Sequence, residues 1–245
     1  MLRLLLVAGF YLAAMLPAAL IGFPWTFISG KIDFLYALAM RIAWAGVRLG
    51  GVRVRVHGLE GFDHAKTYIF MCNHTSNIDP PIVVPLIPRR TSVLVKKELF
   101  RIPLLGQAMR MGSLVPVDRS NREAAINSIR AASEVLRQGL NVTVFPEGTR
   151  SVDGALLPFK KGPFHLALES GVPVLPMTIV GTHALAPKGH FVLRAGVADV
   201  YFHPPVDPAN FASREALMAA VRQQIASVLP AAALPTIQAT DPTKT

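Results

Sequence analysis

Apolar and polar positions change period several times along the chain, and each change predicts an element. Residues 4–30 carry no charge, a run longer than the roughly 20 apolar residues that cross a bilayer. A signal peptide needs a shorter apolar core and a small-residue cleavage site. A buried soluble helix is rarely so long and so uniformly apolar. Membrane insertion is therefore the expectation. Pro17 and Pro24 are expected to kink the helix, which leaves a bent, half-inserted element and a full crossing both open. Residues 31–49 predict a second helix. Arg41 and Arg48 share one face, and Phe34, Leu35, Leu38, Ile42 and Trp44 supply the apolar remainder. A basic amphipathic helix with a tryptophan fits an anionic membrane surface; packing on the main domain with the arginines in solvent is the alternative.

From residue 51 the period shifts to two. Residues 51–58 alternate, with Val52, Val54 and Val56 on one side and Arg53, Arg55 and His57 on the other, which predicts a half-buried strand with His57 at the surface. Residues 67–72, 91–95 and 113–117 are short apolar runs, as in strands covered on both faces. A short helix is expected over 103–111. Residues 120–139 form the clearest helix, with Ser120 and Glu123 as a capping box and Gly139 at the stop. Residues 141–145 read as a strand. Residues 162–171 read as a helix opened by Pro163 and closed by Gly171. Residues 173–180 read as a strand, placed at an edge or irregular position by Pro173 and Pro176. A hairpin is expected near 191–203, a last helix over 213–229 and a frayed tail over 230–245. The alternation predicts an α/β fold, a mostly parallel or mixed sheet flanked by helices, behind an N-terminal two-helix membrane-associated element. The expected divisions are 1–50, 51–229 and the tail.

Composition narrows the partners. The chain has 245 residues, 51% hydrophobic and only 16% charged, and Lys plus Arg exceed Asp plus Glu by 25 − 15 = +10. Such an excess points to an anionic partner: lipid headgroups, phosphorylated substrates or nucleic acid. The apolar N-terminus favours the first two. Nucleic acid is disfavoured because the basic residues are not interleaved with stacking aromatics. Cys72 is the only cysteine, which excludes an intrachain disulfide and a thiolate-rich zinc site.

Candidate chemistry gathers where apolar runs end. Residues 70–81 read FMCNHTSNIDPP, with His74 and Asp79 five positions apart. On a regular helix that spacing turns them about 140° apart, so they meet only if the chain bends. Two readings of Asp79 are open. It caps a helix together with Ser76, or it reaches back to His74, fixes the tautomer and leaves the other ring nitrogen to take a proton. The stretch FPEGTRS at 145–151 offers Gly148 for close backbone approach, Arg150 as a phosphate fork and Glu147 as an acceptor from hydroxyls; an ordinary turn with a local Glu147–Arg150 contact is the alternative. In GSLVPVDRS at 112–120, Arg119 binds an oxyanion or only pairs with Asp118. Between 88 and 119 the basic residues, Lys96 and Lys97 among them, exceed the acidic ones by 7 − 2 = +5, and Lys160 and Lys161 follow the FPEGTR stretch. No GxSxG elbow, GxGxxG fingerprint, P-loop or HExxH is present.

Together these stretches resemble the glycerophospholipid acyltransferase family, and within it the bacterial 1-acyl-sn-glycerol-3-phosphate acyltransferases. Residues 73–79 match the NHxxxxD motif and FPEGTR matches the second signature without a mismatch; residues 112–119 and 172–179 resemble two weaker blocks in the family's order. The resemblance implies acyl transfer from acyl-CoA or acyl carrier protein to lysophosphatidic acid, giving phosphatidic acid. It implies no cofactor, no metal and membrane phospholipids as surroundings; by the positive-inside tendency the basic domain after residue 30 is expected at the inner (cytoplasmic) membrane, on its cytoplasmic face. His74 would be the general base and Asp79 its orienting partner. Glu147, Gly148, Thr149, Arg150 and Arg119 would hold the glycerol phosphate, and charge and position add Lys96 and Lys97. The alternatives are another lysolipid acceptor such as a lyso-ornithine lipid, thioester hydrolysis, and a non-catalytic basic membrane-binding protein.

Overall fold

A computed structural model describes residues 1–118 and 122–234. The charge-free N-terminus forms α1 (Leu2–Ser29), which runs through both Pro17 and Pro24 as one helix. The prolines do not interrupt it, although each lacks the N–H for its own i→i−4 bond. Helix α2 (Asp33–Leu49) folds back along it. The seam is tight because glycines sit on it: a Cβ on Gly46 would lie 2.3 Å from the Tyr11 ring, and one on Gly22 would lie 2.5 Å from Leu35. The Tyr11 hydroxyl donates to Ala43 O across the same seam. Away from α2, α1 exposes Leu5, Leu12, Leu16, Leu20, Phe27 and Ile28, an apolar surface long enough to cross a membrane.

The strands are β1 (Val52–His57), β2 (Ile69–Cys72), β3 (Thr91–Lys96), β4 (Val115–Val117), β5 (Asn141–Val144), β6 (Val174–Val180) and β7 (Gly196–Phe202). They form one sheet in the order β1-β7-β6-β2-β5-β3-β4. Only the β6–β7 pairing is antiparallel. The sheet is thus mixed and mostly parallel, as the alternation predicts. Helices α5 (Arg122–Arg137), α6 (Gly162–Ser170) and α8 (Arg214–Ala226) cover one face, over Ile69, Met71, Val142 and Val144. Phe70, Cys72, Phe145 and Leu175 pack on the other face with the α1–α2 pair and α3 (Asp79–Val83). The α4 helix (Leu105–Met111) and α7 (Thr182–Leu185) complete the set.

Three expectations change. Strand β6 is interior, so of the edge or irregular position expected for it only the irregular one applies. The Val174↔Val206 bridge and the Met177↔Phe202 pair differ by one residue in register, so Pro176 sits where the pairing with β7 slips. A missing N–H costs least at such a bulge. No hairpin forms over 191–203: 191–195 is not a strand, Leu193 is instead buried in the core, and β7 pairs with β1 and β6. In β1 the alternation fades, for Val56 is exposed. The capping box at Ser120 lies outside the described residues, as does the tail from 235; Ala233 O accepts from Leu156 N–H, which ties down the chain just before it.

Candidate active site

Parallel strands carry their C-terminal ends to one edge of the sheet, and polar loops at that edge form ligand sites. Strands β2 and β5 are neighbours there. The loop carrying His74 therefore lies beside the loop carrying Glu147.

Most residues of the NHTSNID stretch have an anchor. Asn73 continues the sheet with its side chain: Nδ2 donates to Ile179 O at 2.9 Å and Oδ1 accepts from Ile179 N–H at 2.8 Å. The Thr75 and Thr182 hydroxyls meet at 3.0 Å, and Ser76 Oγ donates to Ala186 O. The chain then bends into α3, and Asp79 turns back. Its Oδ2 lies 2.8 Å from His74 Nδ1 and accepts from the N–H groups of Thr75 and Ser76. Both readings of Asp79 hold in part. It receives the Ser76 N–H as a capping side chain would, but Ser76 Oγ is directed to Ala186 and α3 has no side-chain cap bond. The same oxygen orients the imidazole. Asp79 is fully buried and the His74 side chain is 12% exposed. The His74 ring stacks on Phe145 with centroids 4.2 Å apart. With Nδ1 donating to Asp79, Nε2 is the basic nitrogen.

Glu147 is turned into the interior, whereas its expected part was to hold glycerol phosphate. It is 1% exposed, and its two oxygens accept from His74 N–H (2.6 Å) and Leu157 N–H (2.8 Å). Ser151 N–H donates to His74 O and Lys160 N–H to Pro146 O. The FPEGTR loop is a clamp on the histidine's backbone. Burial raises the Glu147 pKa to about 7, against the main-chain donors that lower it. The local Glu147–Arg150 contact is absent among the described residues. Gly148 makes the turn at φ +71°, with its N–H on Phe145 O.

Thr149 and Arg150 share with His74 the wall of a cavity of about 760 Å³. Its remaining lining is mostly apolar: Leu35, Ala39 and Ala43 of α2, Val93 of β3, and Ala108 and Met109 of α4 among others. Lys96 also lines it, 3.7 Å from Glu98. Lys97 does not: its ammonium is bonded to Asp118, so its charge is taken up locally. Arg119 lies outside the described residues. Sequence reading missed Lys188, whose Nζ donates to Arg150 O at 2.8 Å and approaches Thr149 Oγ1 at 3.3 Å. No motif marks it, because it arrives from a loop 38 residues away.

Comparisons with known proteins point to one family. The family model described as Acyltransferase matches residues 53–180. A protein of Limnanthes douglasii named 1-acyl-sn-glycerol-3-phosphate acyltransferase is 39% identical over 190 residues, covering 75% of this chain and 64% of the relative's own length. The human protein named 1-acyl-sn-glycerol-3-phosphate acyltransferase alpha is 31% identical over 208 residues, covering 78% of this chain and 74% of the relative. The crystal structure of the 1-acyl-sn-glycerophosphate (LPA) acyltransferase PlsC from Thermotoga maritima superposes with a TM-score of 0.76 at 31% identity, covering 91% of this chain and 92% of that one. The chain therefore spans just under two thirds of the plant relative and nearly all of the bacterial structure.

Proposed function

The chain belongs to the Acyltransferase family, and on that premise we propose that it moves a fatty acyl group from a thioester donor, acyl-CoA or acyl carrier protein, to the sn-2 hydroxyl of lysophosphatidic acid. The observation that carries this reading is the position of His74. Its Nδ1 is held 2.8 Å from Asp79 Oδ2, and its ring stands at the wall of an apolar cavity beside Thr149 and Arg150. A lipid hydroxyl is a poor nucleophile near neutral pH, and a positioned imidazole removes its proton as the bond forms. His74 Nε2 takes that proton, the hydroxyl oxygen bonds to the thioester carbonyl carbon, and the carbon–sulfur bond breaks. The proton on Nε2 then goes to the departing thiolate. Asp79 keeps the proton on Nδ1 and stabilises the imidazolium between the two transfers. Transfer is direct, so no enzyme nucleophile is required.

The cavity fits an acyl chain, being apolar on the α2, β3 and α4 sides. Arg150 and Lys96, which line it, suit the acceptor phosphate, with Lys188 bracing the Thr149–Arg150 backbone. The exposed face of α1 and the basic residues that follow it favour residence at the inner (cytoplasmic) membrane, with the catalytic face toward the cytoplasm.

The test is a transfer assay with purified protein in lipid, varying donor and acceptor separately. The expected result is phosphatidic acid formed only when lysophosphatidic acid and a thioester are both present. Thiol release without an acceptor would make the protein a thioesterase. Faster acylation of a lyso-ornithine lipid would reassign the acceptor, and no turnover with any lysolipid would overturn the reading.

A further inference from the structure

A second cavity lies on the other side of the FPEGTR loop, and the proposed reaction does not use it. Its volume is about 990 Å³. It opens at the same C-terminal edge of the sheet, but on the face covered by α5 and α6. Its floor is apolar, built from Val117, Ile126, Ile129 and Val144. Arg130, Lys160, Lys161 and Arg214 stand around it, against one carboxylate, Glu169, which lies 3.7 Å from His165. Arg214 pairs with Glu215 at 2.7 Å. None of the ion pairs among the described residues includes Arg130, Lys160 or Lys161. An apolar trough rimmed by such cations suits an amphipathic chain that ends in a phosphate.

The two cavities are close neighbours. Leu94 and Phe145 line both, and Phe145 is the ring on which His74 stacks. Gly148 borders the second cavity, while the next residues, Thr149 and Arg150, border the first. The sill between them is one loop, and the Lys160 side chain lies over its Gly148, where a Cβ would come 3.1 Å from Lys160 Cγ. Arg150 and Lys96 stand on the His74 side, and Lys160 and Lys161 on the other. The edge thus holds two cationic sites divided by the sill, one more than a single acceptor phosphate needs.

We propose that this second cavity binds the 4′-phosphopantetheine arm of the acyl donor, with Lys160 and Lys161 on its phosphate and the apolar floor under the arm. The thioester would reach across the loop between the cavities, placing its carbonyl near His74 and its acyl chain in the first cavity. This rests on the proposed transfer reaction. The arm is common to coenzyme A and acyl carrier protein, so the cavity recognises the chemistry the two donors share.

The test separates donor binding from turnover. Calorimetric titration of the full chain in detergent micelles with 4′-phosphopantetheine, coenzyme A and holo-acyl carrier protein is compared between wild type and the double variant Lys160→Ala/Lys161→Ala. Removing charge-assisted contacts to a phosphate is expected to weaken binding of 4′-phosphopantetheine at least about tenfold. Whichever of coenzyme A or carrier protein is the natural donor binds more tightly than the bare arm and shows the same loss. The Lys160→Arg/Lys161→Arg variant restores binding. In turnover, the double variant raises KM for the donor and leaves KM for lysophosphatidic acid in place. Equal 4′-phosphopantetheine affinity in wild type and double variant, or a rise confined to the KM for lysophosphatidic acid, would overturn the assignment. Intact arm binding in a wild-type protein that transfers no acyl group would instead strike the function and spare the cavity.

Discussion

A carboxyl group with 1% of its surface exposed and a pKa near 7 makes the site sensitive to pH through the fold itself. Glu147 titrates at about 4.5 when unfolded and at about 7 when folded, because burial penalises its charge. Between those values the folded chain holds the extra proton. Stability from this group is therefore full below about pH 4.5 and is lost as the pH rises through about 7, by up to about 3 kcal/mol. His203, whose pKa burial lowers, contributes with the opposite sign over a neighbouring range. The diagnostic is thus the difference between wild type and Glu147→Gln in unfolding free energy. Wild type should lose stability relative to the variant between pH 5 and pH 8, and a pH-independent difference would contradict the account. At this scale the sequence was informative where spacing is short. The His74–Asp79 contact needs only a local bend, so the motif already contained it. The structural use of Glu147 was hidden, because its partners, the N–H groups of His74 and Leu157, come from separate loops.

Among the elements, the α1–α2 pair depends on glycine at the seam. The Cβ that Gly46→Leu adds would begin 2.3 Å from the Tyr11 ring, which the Tyr11–Ala43 hydrogen bond holds in place. Overpacking of this kind costs about 1–3 kcal/mol. Gly46→Leu should lower the thermal midpoint in detergent micelles, and an unchanged midpoint would show that α1 parts from α2 without cost. Both helices were legible from hydropathy alone, because neither depends on a distant partner for its identity. The misread elements depend on such partners. Pro176 is tolerated in an interior strand because the register slips opposite it, and that slip is set by residues near 203–206. Residues 191–195 are apolar enough to read as a strand, but the edge they would occupy belongs to β1, which pairs with β7 in parallel.

For the whole molecule, the decisive feature is one sheet edge with unlike surroundings on its two faces. The α1–α2 side is apolar and open to lipid; the α5–α6 side is cationic. A reaction joining a membrane-held acceptor to a phosphate-bearing donor needs that asymmetry. The alternation of helices and strands predicted the layers, but not the strand order, which follows from long-range pairing. The cavities were equally invisible in the sequence, since the first gathers residues from α2, β3, α4 and the FPEGTR loop, and the second from β4, α5, α6 and the same loop. All of these parts converge on His74, and turnover of the assembled protein with saturating donor and acceptor in His74→Ala tests the central claim most directly. The account predicts a fall of roughly 10²–10⁴ in kcat, the usual share of general base catalysis, with lysophosphatidic acid binding and the thermal midpoint retained. A His74→Ala protein turning over within a few-fold of wild type would contradict it.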